Sequence, residues 1–406
     1  MRSDWITATP PTPNGNLHVG HLAGPYVAAD VLRRFEAAEG LRPRCRTGMD
    51  DHQNYVVIRA REESRSPDQT ADLYGAEIKE VWQQAEVKFD RISQPRADPE
   101  YKPFAQRFFL KLMSSGAVVA RRRALPCCDR CGTWLFDGFV AGACPHCGTP
   151  SYGGMCEACS WPNDCQEITD PTCRLCDGPA TLREIERFFL PLQPYEAELT
   201  SFWEQVEMPP HVESLCEDML SKGLPEIAIS HPSNWGIPVP VDGFRDQTML
   251  PLFEMAPGFL LQWGEFDDLP EQGPVKFFGF DNAYFQVALI PVLFMQFEPD
   301  LPLPRAFVVN EFFRLEGSKF STSRRHLVTG ADALAATSSD ALRFHVLANR
   351  PLGRQTDFSL SGLAGTQRRL EENWNGWLQR LVAQLHTECG GSVPDQQPDG
   401  YQWPAL

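Results

Sequence analysis

The apolar pattern of the first fifty residues alternates between short β-prone runs and a longer segment with helical spacing. Residues 4–8 (DWITA) are predicted to form a strand, and residues 44–47 a second one. The second strand leads into the acidic turn 48–52, which fits a doubly wound α/β sheet with ligands at the carboxyl ends of its strands. The segment between the two strands is predicted as a helix whose buried face carries Leu22, Val27, Leu32 and Phe35.

Similar patterns continue along the rest of the chain. A strand ending in a glycine turn is predicted at 276–281 and another strand at 306–309, after a helical return within 188–230. Further helices are predicted at 332–350 and 363–385, before a tail rich in Pro, Gly and Gln. Residues 66–113 are also predicted helical, with apolar faces formed by Tyr74, Ile78, Val81 and Trp82 and by Phe104, Phe108, Phe109 and Leu112.

Composition narrows the class of protein. A chain of 406 residues, 42% hydrophobic and 22% charged, can bury a large core in two or three domains. No apolar run approaches the ~20 residues of a membrane span, and the first residues lack a secretory apolar region, so we expect a cytoplasmic protein without membrane contact. The net charge of −16 argues against tight binding of a nucleic acid, although Arg121, Arg122 and Arg123 could form a local basic patch.

Residues 114–188 have the composition of an insertion, with many Gly, Pro and Cys. Thirteen cysteines in a reducing compartment indicate metal binding rather than disulfides. Tetrahedral zinc takes four thiolates, and each C-x-x-C turn supplies two, so eight ligands predict two structural zinc ions with no open coordination position. The four C-x-x-C pairs are Cys128/Cys131, Cys144/Cys147, Cys156/Cys159 and Cys173/Cys176.

A candidate phosphate site follows the first strand, where His18-Val19-Gly20-His21 opens the first helix. Free backbone N–H groups and the helix dipole favour an anion there, and two histidines three residues apart can donate to phosphate oxygens. Taken alone, the same four residues also fit a metal-binding pair or two surface histidines.

A second segment favours the phosphate-binding interpretation of the first. It reads Leu315-Glu-Gly-Ser-Lys319-Phe-Ser321-Thr-Ser-Arg324. Together they resemble the HIGH and KMSKS signatures of class I aminoacyl-tRNA synthetases. The surrounding PNGNLHVGH and NEFFRLEGSKFSTSR are similar to methionyl-tRNA synthetases of the archaeal and eukaryotic type, and the resemblance extends from about residue 4 to 361.

This resemblance implies a Rossmann-like doubly wound parallel sheet with an inserted zinc-knuckle domain and a short C-terminal helical region. In this family the inner Cys pairs share one zinc and the outer pairs the other, although spacing alone leaves sequential pairing open. The implied divisions are catalytic halves at 1–113 and 231–325, an insertion at 114–230, a stem-contact-like region at 326–362, and a remnant helix with tail at 363–406.

The resemblance also implies site residues for ATP and Mg²⁺. His18, His21 and Lys319 would act in catalysis by holding phosphate oxygens. Asp50 matches the aspartate that binds the amino group of the amino acid. The nucleotide-binding set would be Asn14, Gly15, His18, His21, Gly279, Asp281, Asn310, Lys319 and Ser321.

The expected amino-acid pocket departs from that of the methionine enzymes. Thr12 stands where they have a tyrosine, Leu252 and Phe259 belong to a segment that lacks their tryptophan, and Gln286 replaces their histidine. Losing hydrogen-bonding partners makes a pocket reject its original ligand strongly, so these changes indicate a different amino acid.

Three functions fit the sequence. The first is an adenylate-forming paralogue that passes the aminoacyl group to a small molecule, as in hydrazine synthetases, where such a unit acylates an N-hydroxylated amine beside a cupin domain. A cupin domain or protein is then an expected partner, and tRNA a poor acceptor. The second is a methionine–tRNA ligase core lacking its anticodon-binding domain. The third is a non-catalytic regulator that keeps the zinc insertion.

Overall fold

The computed structural model describes residues 5–263, 273–319 and 327–392. Its first part alternates strands with helices up to residue 114. These elements are β1 (Trp5–Ala8), α1 (Val19–His21), a π-type turn (Leu22–Tyr26), α2 (Val27–Ala38), β2 (Arg44–Gly48), α3 (Asn54–Glu62), α4 (Pro67–Gln84), β3 (Arg91–Ser93) and α5 (Tyr101–Ser114).

The inserted segment follows, with short strands and two helices. Its elements are β4 (Val119–Cys128), a 3₁₀ turn (Asp137–Phe139), β5 (Val140–Ala143), β6 (Pro150–Tyr152), β7 (Gly154–Met155), β8 (Pro162–Asn163), a 3₁₀ turn (Cys165–Glu167), β9 (Thr169–Cys173), β10 (Ala180–Pro191), a 3₁₀ turn (Gln193–Tyr195), α6 (Glu196–Trp203), α7 (Pro210–Lys222), β11 (Glu226–Ala228) and β12 (Ser230–Pro232).

The remaining described elements complete the central sheet and end in helices. They are β13 (Gln247–Met249), α8 (Pro251–Trp263), β14 (Val275–Gly279), a 3₁₀ turn (Phe280–Asn282), a π-type turn (Phe285–Leu289), α9 (Ile290–Phe297), β15 (Ala306–Asn310), β16 (Phe313–Leu315), β17 (Ser318–Lys319), α10 (Gly330–Ala336), α11 (Ser339–Ala348), β18 (Thr356–Phe358), α12 (Leu360–Arg369), a π-type turn (Leu370–Asn375) and α13 (Gly376–Cys389).

Five parallel strands form the central sheet, in the order β15-β14-β1-β2-β3. Ile6 of β1 lies opposite Cys45 on one side and Val275 on the other. The predicted α/β fold with a doubly wound parallel sheet is confirmed, and β3 is an additional strand that the helical prediction for 66–113 missed. Parallel pairing of β1 with β14 brings together segments that are far apart in the sequence.

Two apolar cores lie against this sheet. One contains Ile6, Leu22, Val81 and Trp82 between β1, the first helices and α4. Phe35 was predicted to join this face, but its side chain is 62% exposed. The kink at Gly24, whose ψ of −112° is not helical, and the neighbouring Pro25 shift the buried face of the helix that follows.

The insertion is carried by a long antiparallel pair, β4 with β10, which runs from Val119 opposite Phe189 to Cys128 opposite Ala180. Buried side chains of β10 and of α5 to α9 form the second core, which includes Phe109, Phe188 and Phe253. A third, smaller core lies inside the insertion around Leu135 and Phe139.

The predicted helix at 332–350 is divided into α10 and α11. Thr337 is extended, and the Ser338 side chain accepts a hydrogen bond from the backbone N–H of Ala341 at 3.2 Å, which starts a new helix. The predicted helix at 363–385 is present as α12 and α13, with Trp374 and Trp377 exposed. None of the described helices is long and apolar enough to cross a membrane.

Asp30 on α2 joins the amino-terminal part of the sheet domain to the carboxy-terminal helix α11. Its fully buried carboxylate accepts hydrogen bonds from Arg33 (2.7 Å), Arg34 (2.7 Å) and Arg343 of α11 (2.6 Å). Burial alone would raise the pKa of Asp30, but the hydrogen bonds from Arg33 and Arg34 and the charge of Arg343 lower it. The ionised carboxylate therefore holds α2 and α11 together.

Replacing Asp30 by Asn should destabilise the fold by on the order of 3 kcal/mol, because Arg343 would remain buried without its counter-charge. Since the folded pKa of Asp30 is lowered, its contribution is complete above the unfolded pKa of about 3.9 and is lost as the pH falls through the folded value. Urea unfolding at pH 7 measures the effect. Asp242→Asn, which breaks an exposed pair with Arg245, is the control; equal midpoints for the two variants would contradict this account.

Candidate active site

A cleft of about 1800 Å³ opens at the carboxyl ends of the central strands, between the two halves of the sheet and the insertion. Parallel sheets bind ligands at this edge, where the chain leaves neighbouring strands in opposite directions. Most of the residues expected from the sequence line it. They are Thr12, Asn14, Gly15, His18, His21, Asp50, Leu252, Gly279, Asp281 and Asn310.

The His18–His21 turn is built to present neutral donors. The two rings stack with centroids 3.8 Å apart, and Nδ1 of His21 accepts a hydrogen bond from the backbone N–H of His18 at 3.1 Å. Burial lowers the pKa of His21 to about 4, so the ring is neutral near pH 7 and carries its proton on Nε2. A Cβ on Gly20 would come within 2.9 Å of the His18 ring, so a glycine is required there.

Asn310 closes the same corner from the end of β15. Its amide packs against Gly24, where a Cβ would lie 3.0 Å from Asn310 Oδ1. The Asn310 Nδ2 donates to the carbonyl of Glu311 at 3.1 Å, whereas its buried Oδ1 has no hydrogen-bond partner among the described residues. The Asp281 carboxylate likewise lies close to a glycine. A Cβ at Gly279 would come within 2.5 Å of its Oδ1.

Asp50 is a buried carboxylate at the bottom of the cleft. Thr12 donates a hydrogen bond to its Oδ2 at 3.2 Å. Burial first, and then the charge of Glu254, raise the pKa of Asp50 well above its ordinary value. Glu254 in turn pairs with Nδ1 of His52 at 2.6 Å, and within the described part of the chain its buried Oε2 has no hydrogen-bond partner. The cluster is short of positive charge, which an ammonium group would supply.

Two of the residues expected in the amino-acid pocket are buried away from the cleft wall. Phe259 packs under Nζ of Lys276, 4.2 Å from its ring centroid. Gln286 lies in the π-type turn after β14, and its buried Oε1 accepts no hydrogen bond from the residues that the structure describes. Of the four positions, Thr12 and Leu252 line the cleft; a role in substrate recognition stays a prediction for all four.

The second signature segment is described only in part. Lys319 ends β17, whereas its side chain and Ser321 lie outside the described residues. The turn before it places Glu316 (φ 48°) and Gly317 (φ 83°) in the left-handed region, which is typical of a tight hairpin. Asp357 fixes this hairpin by accepting from the backbone N–H of Gly317 at 2.7 Å and pairing with Arg314. Ser318 lines the cleft.

Several cleft residues were not anticipated. Tyr26, Met255 and Tyr284 belong to apolar stretches whose spacing indicates only a core. Asp137 lies in the cysteine-rich insertion, where the C-x-x-C pairs indicate zinc binding and no pattern indicates a cleft residue. His231 begins a segment that was noted only for its return to the catalytic fold.

His231 is held in one tautomer. Arg187, fully buried, donates to its Nδ1 at 3.2 Å, and the imidazole stacks on Phe136 with centroids 4.4 Å apart. Burial and the charge of Arg187 lower the pKa of His231 well below its ordinary value. A neutral ring with its proton on Nε2 therefore lies at the cleft wall.

The eight cysteines form two clusters in the arrangement expected from the resemblance. In each cluster the four sulfur atoms lie within 4.8 Å of one another, a spacing that four thiolates can use to hold one tetrahedral ion. Sequential pairing does not occur, while Cys127 and Cys165 lie outside both groups. The clusters are Cys128, Cys131, Cys173 and Cys176, and Cys144, Cys147, Cys156 and Cys159.

Comparison with known proteins gives a consistent result. The family model described as tRNA synthetases class I (M) matches residues 4–382. The methionine–tRNA ligase of Thermomicrobium roseum is 29% identical over 401 residues, covering 95% of this chain and 68% of that protein. The methionine–tRNA ligase of Thermoplasma acidophilum is 31% identical over 376 residues, covering 88% of this chain and 68% of that protein.

A solved structure with a similar fold is that of Mycobacterium tuberculosis methionyl-tRNA synthetase in complex with methionyl-adenylate. Its TM-score is 0.76 at 19% identity, covering 98% of this chain and 75% of that chain. At this level of identity the comparison supports the fold.

We expect two zinc ions per chain, because each cluster offers four thiolates and no further position for water. Cys159→Ser and Cys176→Ser should each remove one ion, and Cys389→Ser, outside both clusters, should leave two. Metal analysis of the purified protein measures the stoichiometry. One ion or none in the intact wild-type chain would contradict the two-site interpretation.

Proposed function

The chain belongs to the class I tRNA synthetase family of ATP-dependent ligases, and we propose that it activates an amino acid with ATP to give an aminoacyl-adenylate. One observation carries this proposal. The neutral donors of the His18–His21 turn and the buried carboxylate of Asp50 line the same cleft, so an anionic phosphate and a cationic amine can bind side by side.

The chemistry follows from this arrangement. A carboxylate oxygen of the amino acid attacks the α-phosphorus of ATP, the bond to the bridging oxygen breaks, and pyrophosphate leaves. Asp50 holds the ammonium group, and Nε2–H of His21 donates to a phosphate oxygen. No side chain becomes covalently attached, so the rate depends on positioning and on stabilising the charge that develops on the phosphates.

Lys319 would add a cation to the β- and γ-phosphates, and Mg²⁺ is expected to bind with ATP. Gly279, Asp281 and Asn310 would hold the nucleoside, since all three lie at the ends of β14 and β15. Asn14 belongs to the same wall, where Arg59 fixes its carbonyl with a hydrogen bond of 2.9 Å.

For the second half-reaction we propose a small amine, hydroxylamine or hydroxyl compound as acceptor in place of tRNA. Among the described residues, nine Asp and Glu line the cleft against four Lys and Arg, and the whole chain carries a net charge of −16. Such a surface disfavours a polyanion and favours a cation. A cupin domain or protein remains an expected partner by analogy with hydrazine synthetases.

Ligation of methionine to tRNA is the second candidate. The relatives that bear this name favour it, as they cover most of the chain. A non-catalytic regulator is the weakest of the three, because His18, His21, Asp50 and Asp281 are all present at one cleft.

Lys319→Ala should lower ATP–pyrophosphate exchange by on the order of 10²–10³, the usual effect of losing one preorganised stabiliser of developing charge. Lys102→Ala, an exposed lysine on α5, should leave the exchange rate unchanged. Exchange is measured with radiolabelled pyrophosphate and each amino acid in turn. If both variants exchange as fast as the wild type, Lys319 does not have the proposed role.

Methionine should support exchange poorly compared with another amino acid, because Thr12 and Leu252 line the cleft where the methionine enzymes have aromatic rings. Total tRNA should not be charged. Aminoacylation of tRNA is measured beside the exchange assay, and a characterised methionine–tRNA ligase serves as the positive control. Efficient charging with methionine would establish the second candidate instead.

A further inference from the structure

A 3₁₀ turn of the insertion places the carboxylate of Asp137 at the cleft wall. The backbone of Asp137 has φ of 46°, a left-handed conformation that non-glycine residues rarely adopt. Aspartate adopts this conformation more readily than most residues, and here neighbouring segments hold it in place.

Asn54 of α3 determines this conformation from the catalytic domain. Its Nδ2 donates to the carbonyl of Phe136 at 2.9 Å, and its Oδ1 accepts from the backbone N–H of Gly138 at 3.0 Å. Both hydrogen bonds are buried, and they fix the backbone of the residues on either side of Asp137. Arg174 adds a third contact by donating to the carbonyl of Gly138 at 2.9 Å. The position of Asp137 is therefore fixed relative to the nucleotide half of the cleft.

Two glycines leave the space that this residue occupies. A Cβ on Gly153 would lie 2.8 Å from the Asp137 nitrogen, and one on Gly154 would lie 2.9 Å from its Oδ1. Gly153 also donates its backbone N–H to the Asp137 carbonyl at 3.0 Å. The backbone groups of the turn are thus hydrogen-bonded inside the protein.

The carboxylate itself accepts no hydrogen bond from the described residues. Arg174 is a cation whose charge acts on this carboxylate, but its guanidinium lies over the ring of Tyr152, 4.1 Å from the centroid, and donates to the Gly138 carbonyl. Burial raises the pKa of Asp137 to about 7, and Arg174 only partly opposes this effect. Because this carboxylate is only partly buried and lines the cleft, a cationic ligand in the cleft can bind it directly.

The cleft has room for a second ligand. Its volume of about 1800 Å³ exceeds the roughly 300–1,000 Å³ of a typical small-molecule site, and much of its wall belongs to the insertion. Asp50 can hold one ammonium group, and Asp137 can hold another.

We propose that Asp137 is the anchor of an acceptor subsite that binds the ammonium group of a small amine carrying a second, nucleophilic nitrogen or oxygen. The proposal rests on the proposed adenylate chemistry. The uncharged nucleophilic atom attacks the carbonyl carbon of the aminoacyl-adenylate, the bond from that carbon to the phosphate oxygen breaks, and AMP leaves with the bonding pair. The proton of the nucleophile passes to water.

The first test is a binding measurement that needs no catalysis. 1,4-Diaminobutane is titrated into the full chain by calorimetry, with 1-aminobutane as the comparison ligand. Asp137→Asn should weaken binding of the diamine about ten- to a hundredfold, the effect of losing one charge-assisted hydrogen bond. Asparagine tolerates the left-handed backbone, so the turn keeps its shape. Glu167→Gln, another carboxylate of the same wall, is the matched control and should bind as the wild type does.

The second test separates the acceptor subsite from the adenylate site. Pyrophosphate exchange reports adenylation alone, and it should be unchanged in Asp137→Asn. Transfer to 1,4-diaminobutane should fall about ten- to a hundredfold, whereas transfer to hydroxylamine, which is uncharged near neutral pH, should be unaffected. A loss of exchange, an equal loss with both acceptors, or equal diamine binding in both variants would overturn the proposal. Absence of exchange in the wild type would reject the adenylate chemistry, and the binding test would still decide whether Asp137 holds a cation.

Discussion

Parallel pairing of β1 with two strands from distant parts of the chain is the interaction on which the rest of the structure depends. β1 lies between β2 and β14, so the loops that follow β1 and β14 leave the sheet on either side of one crevice. This pairing brings the His18–His21 turn to the same cleft as Asp281 and Asn310, which follow it by more than 250 residues. Without it, the two signature segments would be unrelated surface loops.

The insertion is not an independent appendage of this sheet. Asn54 holds the turn around Asp137, and the stacked pair of His231 and Phe136 lies beside the buried Arg187. The apolar core of the insertion is small. Metal ions bound by the two cysteine clusters would therefore hold its short strands together through coordination bonds. Metal bound there would act on the cleft through the position of its wall, since none of the eight cysteines is among the residues expected to contact ATP.

The sequence predicted the sheet, the two signature segments and the pairing of the cysteines, because each has a local pattern or a strong resemblance behind it. The family resemblance and the fold class are confirmed. The prediction that Phe35 is buried was wrong because the kink at Gly24 changes which face of the helix is buried. The spacing of apolar residues does not report such a kink. Asp137 could not be found because its place at the cleft depends on two hydrogen bonds from Asn54, eighty-three residues earlier in the chain, which no local pattern contains.

The charges of the cleft also determine how ATP can be held. The four Lys and Arg residues of its described wall already have partners: Arg59 pairs with Glu62, Arg123 with Glu226, Lys222 with Asp218, and Arg174 stacks on Tyr152. His21 is neutral, since burial lowers its pKa to about 4. The described part of the wall thus offers neutral N–H donors and a helix terminus rather than uncommitted cations. The negative charge of a triphosphate must then be balanced by other cations. In the proposed mechanism these are a divalent cation that binds with ATP and the lysine of the second signature, which is why both are needed.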